Sequence, residues 1–145
     1  MAKIKIRSSS LMVLFIIGLI GYIIFNAWSM DNKSYGDISV DQLEKLMDQK
    51  DFTLINVHIP YQGEIDNTDL LIPFNTINQY KNLLPRNKDA KIVVYCMEDQ
   101  MSTNTAERLI KMGYTRVFNL QGGMLAWQNK GRRLVHRQPL SRGAF

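Results

Sequence analysis

Cys96 is the single cysteine among 145 residues, and its setting can present a sulfur for reaction. It closes the run Lys91-Ile92-Val93-Val94-Tyr95, β-branched and apolar as a buried strand requires. A helical pattern follows over 103–112, with Ala106, Leu109 and Ile110 on one face and Gly113 as its stop. In open α/β sheets ligands bind at the carboxyl ends of strands, where the free N–H groups of a helix start face the loop. An anionic sulfur is stabilised there by roughly 0.3–1 kcal/mol. The loop itself reads Met97-Glu98-Asp99-Gln100-Met101-Ser102, with no cation. At about 7 Å, Glu98 and Asp99 each oppose a thiolate by roughly 0.6–1 kcal/mol, which together matches or exceeds the helix-end contribution. A buried, inert cysteine is the competing reading of the same position. His58 ends the run Phe52-Thr53-Leu54-Ile55-Asn56-Val57 and so also stands at a strand end. It is either a base for Cys96 or, the favoured reading, a structural hydrogen-bonding group.

Other chemistries are poorly served. One cysteine excludes an internal disulfide framework and a multi-cysteine zinc site, and two histidines, His58 and His136, do not make a catalytic metal centre. No cofactor is implied. The formal net charge is +5, but it resides at the ends: Lys3, Lys5 and Arg7 in 1–30, and Arg132, Arg133, Arg137 and Arg142 in 132–145, with no acid in either stretch. The middle holds all 13 acids and is slightly acidic, which argues against a nucleic-acid partner.

The elements that must position Cys96 alternate in type. Residues 29–36 read as a polar linker. Ser39 with Gln42 forms a capping box and Ile38 can staple to Leu43, starting a helix whose apolar face is Val40, Leu43 and Leu46. The strand at 52–57 follows, then an irregular stretch over 58–77 in which Asp69 to Phe74 holds a short extended piece ended by Pro73. Tyr61, Gln62 and Glu64 are either loop filler or a rim to the site. A short helix over 78–84 stops at Pro85. After the Cys96 strand and its helix come a third strand over 116–120 and a helix opened by Gly122-Gly123 and closed at Gly131, with Met124 and Trp127 as core. Alternating strands and helices predict an α/β fold, a parallel sheet with helices on both faces. The soluble domain spans 37–131, and 132–145 is a weakly ordered basic tail.

Residues 11–28 carry no charge and, at 1.5 Å per residue, span roughly 27 Å, enough for the hydrocarbon core. With basic residues before and Asp31 and Asp37 after, this reads as one N-terminal transmembrane signal-anchor helix. It leaves a stub of 1–10 in the cytoplasm and the domain outside it, with the membrane as a partner. A cleaved signal, with Ala27-Trp28-Ser29 as its site, is the alternative and would leave the domain secreted or periplasmic.

The stretch Ile92-Val93-Val94-Tyr95-Cys96, the six-residue loop, Ser102, Ala106, Leu109, Gly113-Tyr114, Val117, Leu120, Gly122-Gly123 and Trp127 resembles the rhodanese-like sulfurtransferase family. The likeness covers about 34–131. It implies a three-layer fold and sulfane-sulfur transfer: Cys96 takes sulfur from a donor, holds it as a persulfide and passes it to a thiol or other thiophilic acceptor. The resemblance makes Cys96 the nucleophile and Met97, Glu98, Asp99, Gln100, Met101 and Ser102 the amide cradle. The family's loop usually carries two cations and a glycine; here Met97 and Met101 replace the cations and Asp99 the glycine. Asn56 and His58 stand where aspartate and arginine are usual. These departures point to a donor of low charge rather than thiosulfate. They also motivate the alternative of a catalytically inactive binding module tethered to a membrane complex. A phosphatase of the same fold would need a longer loop with an arginine.

Overall fold

The computed structural model describes residues 12–13, 15–22 and 34–137. The chain falls into two units, 1–33 and 34–145. In the first, residues 12–13 and 15–22 are helical. Among the described residues no helix is long and apolar enough to cross a membrane. Of the expected transmembrane segment at 11–28, residues 11, 14 and 23–28 lie outside the described residues, as do the stub at 1–10 and residues 29–33 of the linker.

In the second unit the elements run β1 (Gly36–Ile38), α1 (Val40–Met47), β2 (Phe52–Asn56), β3 (Leu70–Leu71), a 3-10 turn (Ile77–Tyr80), β4 (Lys91–Tyr95), α2 (Gln100–Lys111), β5 (Val117–Leu120) and α3 (Gly123–Asn129). The strands form one sheet in the order β1-β5-β4-β2-β3, with every pairing parallel. β4 sits at the centre, with Asn56 of β2 in register with Tyr95. A strand covered on both faces should be apolar throughout, and the alternation along β4 shows why. Ile92 and Val94 pack with Ala106 and Leu109 of α2 on one face, and Cys96 joins that set. Val93 and Tyr95 pack with Leu43 of α1 and Met124 and Trp127 of α3 on the other. Period two thus hands Cys96 to the α2 side of the sheet.

The α1 start is as expected. Gln42 N donates to Ser39 Oγ at 3.3 Å, Ser39 N donates to Gln42 Oε1 at 2.8 Å, and Ile38 and Leu43 share one core. Four boundaries differ. Ser34 to Gly36 belong to the folded unit rather than to the linker: Tyr35 is buried and Gly36 opens β1, which pairs with β5. The helix expected over 78–84 is a 3-10 turn at Ile77–Tyr80 with further turns to Pro85. α2 begins at Gln100, not Thr103. The described part of the tail is held in place. Val135 and Glu64 exchange backbone hydrogen bonds of 2.8 Å in both directions, and Trp127 Nε1 donates to Arg133 O at 3.1 Å. Residues 138–145 lie outside the described residues.

Candidate functional site

Three close approaches shape the loop after β4. The α3 amides of Met124 and Leu125 donate to Cys96 O at 2.9 Å and Met97 O at 3.0 Å. Gly123, at φ +52°, lies so near that a Cβ there would be 2.4 Å from Cys96 O, 2.5 Å from Glu98 O and 2.8 Å from Met97 O. Only glycine fits such an approach. The carbonyls of residues 96–98 therefore crowd against the start of α3. The N–H groups of residues 97–102 donate to no acceptor among the described residues: three lie in the loop and three in the first turn of α2. Six main-chain donors on the segment that follows the sulfur are thus without an acceptor among the described residues.

Cys96 is 2% exposed and reaches a cavity of about 270 Å³ lined by His58, Cys96, Met97, Glu98, Gln100 and Met101. Its Sγ lies 3.4 Å from Ser102 Oγ, which in turn donates to Asp99 O at 3.0 Å. A hydroxyl has one proton. While Ser102 gives its proton to Asp99 O, the bond to Sγ requires the thiol to donate. When the sulfur is ionised, the Ser102 proton can rotate onto it.

Of the sequence-predicted site residues, His58, Met97, Glu98, Gln100 and Met101 share the cavity with Cys96, and Ser102 lies beneath the sulfur, fully buried. Asp99 is the exception. Its carboxylate was expected to face the sulfur. Instead it accepts from Asn119 Nδ2 at 2.9 Å and from Gly122 N at 3.0 Å, tying the loop to the end of β5 and the start of α3. Its φ of −141° also removes the strain expected at a position where the family carries glycine. Of the two loop acids, only Glu98, which is exposed, lines the cavity. The lining contains no lysine or arginine.

His58 has both ring nitrogens buried with no hydrogen-bond partner among the described residues, so the favoured structural bond is not made. The Asn56 side chain makes the local link instead. Its Oδ1 accepts from His58 N at 3.0 Å and its Nδ2 donates to Gly63 O at 3.0 Å. Asn119 was missed in the sequence. Its Nδ2 bridges Asp37 at 3.1 Å and Asp99, contacts set by residues 82 and 20 positions away that no local spacing reveals. Tyr61 and Glu64 do not line the cavity; they meet Arg137. Among the described residues no group of three His, Cys, Asp or Glu side chains is gathered for a metal ion.

Comparison with known proteins agrees with this arrangement. The model of the Rhodanese-like domain matches residues 39–130. A sulfurtransferase of Allochromatium vinosum is 32% identical over 95 residues, covering 63% of this chain and 86% of that protein. The thiosulfate sulfurtransferase GlpE of Pseudoalteromonas translucida is 26% identical over 98 residues, covering 66% and 90%. The crystal structure of a rhodanese-like domain protein from Staphylococcus aureus superimposes with a TM-score of 0.59 at 27% identity, covering 70% of this chain and 99% of that one. With the parallel sheet, the loop cysteine and the Gly122-Gly123 approach in place, the chain belongs to the rhodanese-like domain family over residues 39–130.

Proposed function

We propose that the domain is a sulfane-sulfur transferase or persulfide carrier with Cys96 as its nucleophile. The observation that carries this reading is the set of six unpartnered amides on 97–102, the segment that leaves Cys96 and walls its cavity. Main-chain donors of this kind stabilise an anionic sulfur without a cation. The Cys96 thiolate attacks the outer sulfur of a donor RS–SH. The donor's S–S bond breaks, its electron pair leaves with RS⁻, and Cys96 becomes Cys–S–SH. An acceptor thiolate then attacks that outer sulfur, takes it as its own persulfide and returns the Cys96 thiolate. The donor is a persulfide and the acceptor a thiol, both of low charge, because Met97 and Met101 occupy cavity positions where cations would hold an anion such as thiosulfate. Residues 97–102 and His58 bind the transferred sulfur and its carrier.

The uncharged segment at 11–28 tethers this domain to a membrane on the extracytoplasmic side, in keeping with the basic residues before it. The absence of any lysine or arginine from the lining also favours a second reading, a tethered binding module that transfers no sulfur. One experiment separates the two. The full chain is incubated with glutathione persulfide and weighed. Addition of one sulfur atom to wild type, absent in Cys96→Ser, is the expected result; no addition from glutathione persulfide or from thiosulfate overturns the transfer reading.

A further inference from the structure

Asn119 is a buried amide at a place where the fold asks for an apolar residue. It stands on β5 in register with Val94 of β4, and period two sets it on the same face as Val117, which shares a core with Val94, Cys96 and Ala106. It is 1% exposed, and its Oδ1 has no partner among the described residues. A buried amide oxygen left so costs stability, so what the side chain contributes lies in its Nδ2. That nitrogen donates to Asp99 Oδ1 at 2.9 Å and to Asp37 Oδ1 at 3.1 Å. Asp99 is the residue that opens α2, a position where a carboxylate ordinarily folds back to accept from the N–H of the second or third helical residue, here Met101 or Ser102. It makes no such cap, and both its oxygens lie 3.0 Å from Gly122 N instead. The first-turn N–H groups of α2 are left without an acceptor among the described residues, and in that turn Ser102 Oγ lies 3.4 Å from Cys96 Sγ.

We propose that Asn119 is a positioning residue for Cys96: by holding the Asp99 carboxylate toward β5 and α3, it keeps that carboxylate from capping α2 and leaves the N–H groups of Met101 and Ser102 to the sulfur. The role rests on the reading of Cys96 as a nucleophile given above. Gly122 N offers one proton to two carboxylate oxygens, and Asn119 supplies the second donor. Without it, Gly122 N competes alone against the α2 amides, which carry the partial positive charge of the helix end. A capped α2 is a more stable helix and a poorer host for an anionic sulfur. The sign of the effect follows: loss of Asn119 slows the chemistry of Cys96 without weakening the fold. An amide that served the fold alone would do the reverse, since its loss would weaken the sheet and leave the sulfur as it was.

The test compares Asn119→Leu, Asp37→Ala and the double variant Asn119→Leu with Asp99→Ala, each in the full chain. Cys96 is the single cysteine, so the rate of alkylation by iodoacetamide reads it alone. The rate is followed from about pH 6 to 10. Glu98 and His58, the titratable groups that line the cavity with Cys96, are the same in every variant. Asn119→Leu should react about three- to tenfold more slowly at pH 7, the worth of one hydrogen bond, with the midpoint of its profile moved to higher pH and its urea midpoint no lower than that of wild type. The double variant has no carboxylate to cap α2 and should recover the wild-type profile. Asp37→Ala removes the other partner of the same Nδ2 and should also match wild type. Asn119→Ala stands in if leucine unfolds the chain. A wild-type profile in Asn119→Leu overturns the role, as does a double variant as slow as the single one, or equal slowing in Asp37→Ala, which would mean a tie between strands. Weighing the chains after glutathione persulfide or thiosulfate treatment keeps this apart from the transfer reading. If wild type takes no sulfur from either donor while the alkylation pattern holds, the transfer reading ends and the role of Asn119 toward the thiolate stands. If wild type and Asn119→Leu take sulfur equally fast, the role of Asn119 ends alone.

Discussion

Gly123 shows at the scale of one residue what the loop depends on. A methyl group there would meet three carbonyl oxygens at 2.4–2.8 Å, all of them backbone, in a residue already at φ +52°. No side chain can swing aside, so the loop must move. Gly113 is the internal control: it has φ +90° but open space around its missing Cβ. Gly113→Ala should cost the backbone strain alone, about 1–2 kcal/mol. Gly123→Ala should cost about 3 kcal/mol or more and, in whatever protein still folds, abolish persulfide loading. Denaturant unfolding of both variants, with mass measurement of sulfur uptake, checks this. Equal costs for the two would mean that the approach of α3 to the loop is not tight. The glycine pair was readable from the sequence as a helix opening. The reason for it was not, because the carbonyls it accommodates lie more than twenty residues earlier.

The elements were legible where their determinants are local and hidden where they are not. The α1 start is written in Ser39 and Gln42, three residues apart, and β4 in Ile92 to Tyr95, four successive apolar or β-branched residues after Lys91. β1 has three residues with one buried, so neither a period nor a run identifies it. The α2 start was placed three residues late because Asp99 makes no side-chain cap to its own helix; that carboxylate is engaged with Asn119 and Gly122. Tyr95 shows how a strand end can organise a loop far away in sequence. Its hydroxyl accepts from Ile65 N at 3.0 Å and lies 2.6 Å from Thr68 Oγ1, which donates to Ile65 O. With the threonine proton so placed, Tyr95 donates to Thr68, and burial pushes the phenol well above its ordinary value of 10.0. The linkage has a definite sign. The unfolded phenol ionises above about pH 10 while the folded one stays protonated, so its contribution is complete below pH 10 and is lost as pH rises beyond it. Tyr95→Phe should lower stability at pH 7 by about 1–3 kcal/mol, since Ile65 N loses its acceptor, and should flatten the fall above pH 10. Urea unfolding at pH 7 and pH 11 measures both; an unchanged alkaline slope in Tyr95→Phe would remove the phenol from the account.

For the folded unit as a whole, the ends of the chain matter more than their composition implied. The basic residues of 132–137 serve as anchors: Arg132 pairs with Glu44 of α1, which holds its guanidinium pKa above the ordinary range, and Arg137 reaches the segment after β2. There its backbone N donates to Tyr61 Oη at 2.9 Å, Nε donates to Glu64 Oε1 at 2.6 Å and a further guanidinium N–H bonds Thr68 O. Glu64 is 4% exposed and its other carboxylate oxygen has no partner among the described residues. A charge placed that way tolerates the loss of its counterion badly, because desolvation remains when the attraction is gone. Arg137→Ala should therefore destabilise the domain by about 2–4 kcal/mol, a fully buried pair being worth somewhat more. Glu64→Gln in the same chain should restore part of that loss, since a neutral amide is cheaper to leave buried than an unpaired carboxylate. Lysine at 137 cannot reproduce the fork that serves Glu64 and Thr68 together, so Arg137→Lys should fall between wild type and alanine. Urea midpoints of the three variants in the full chain decide the matter. If Arg137→Ala unfolds at the wild-type midpoint, the tail is an ornament on the domain rather than the strap that closes the segment between β2 and β3.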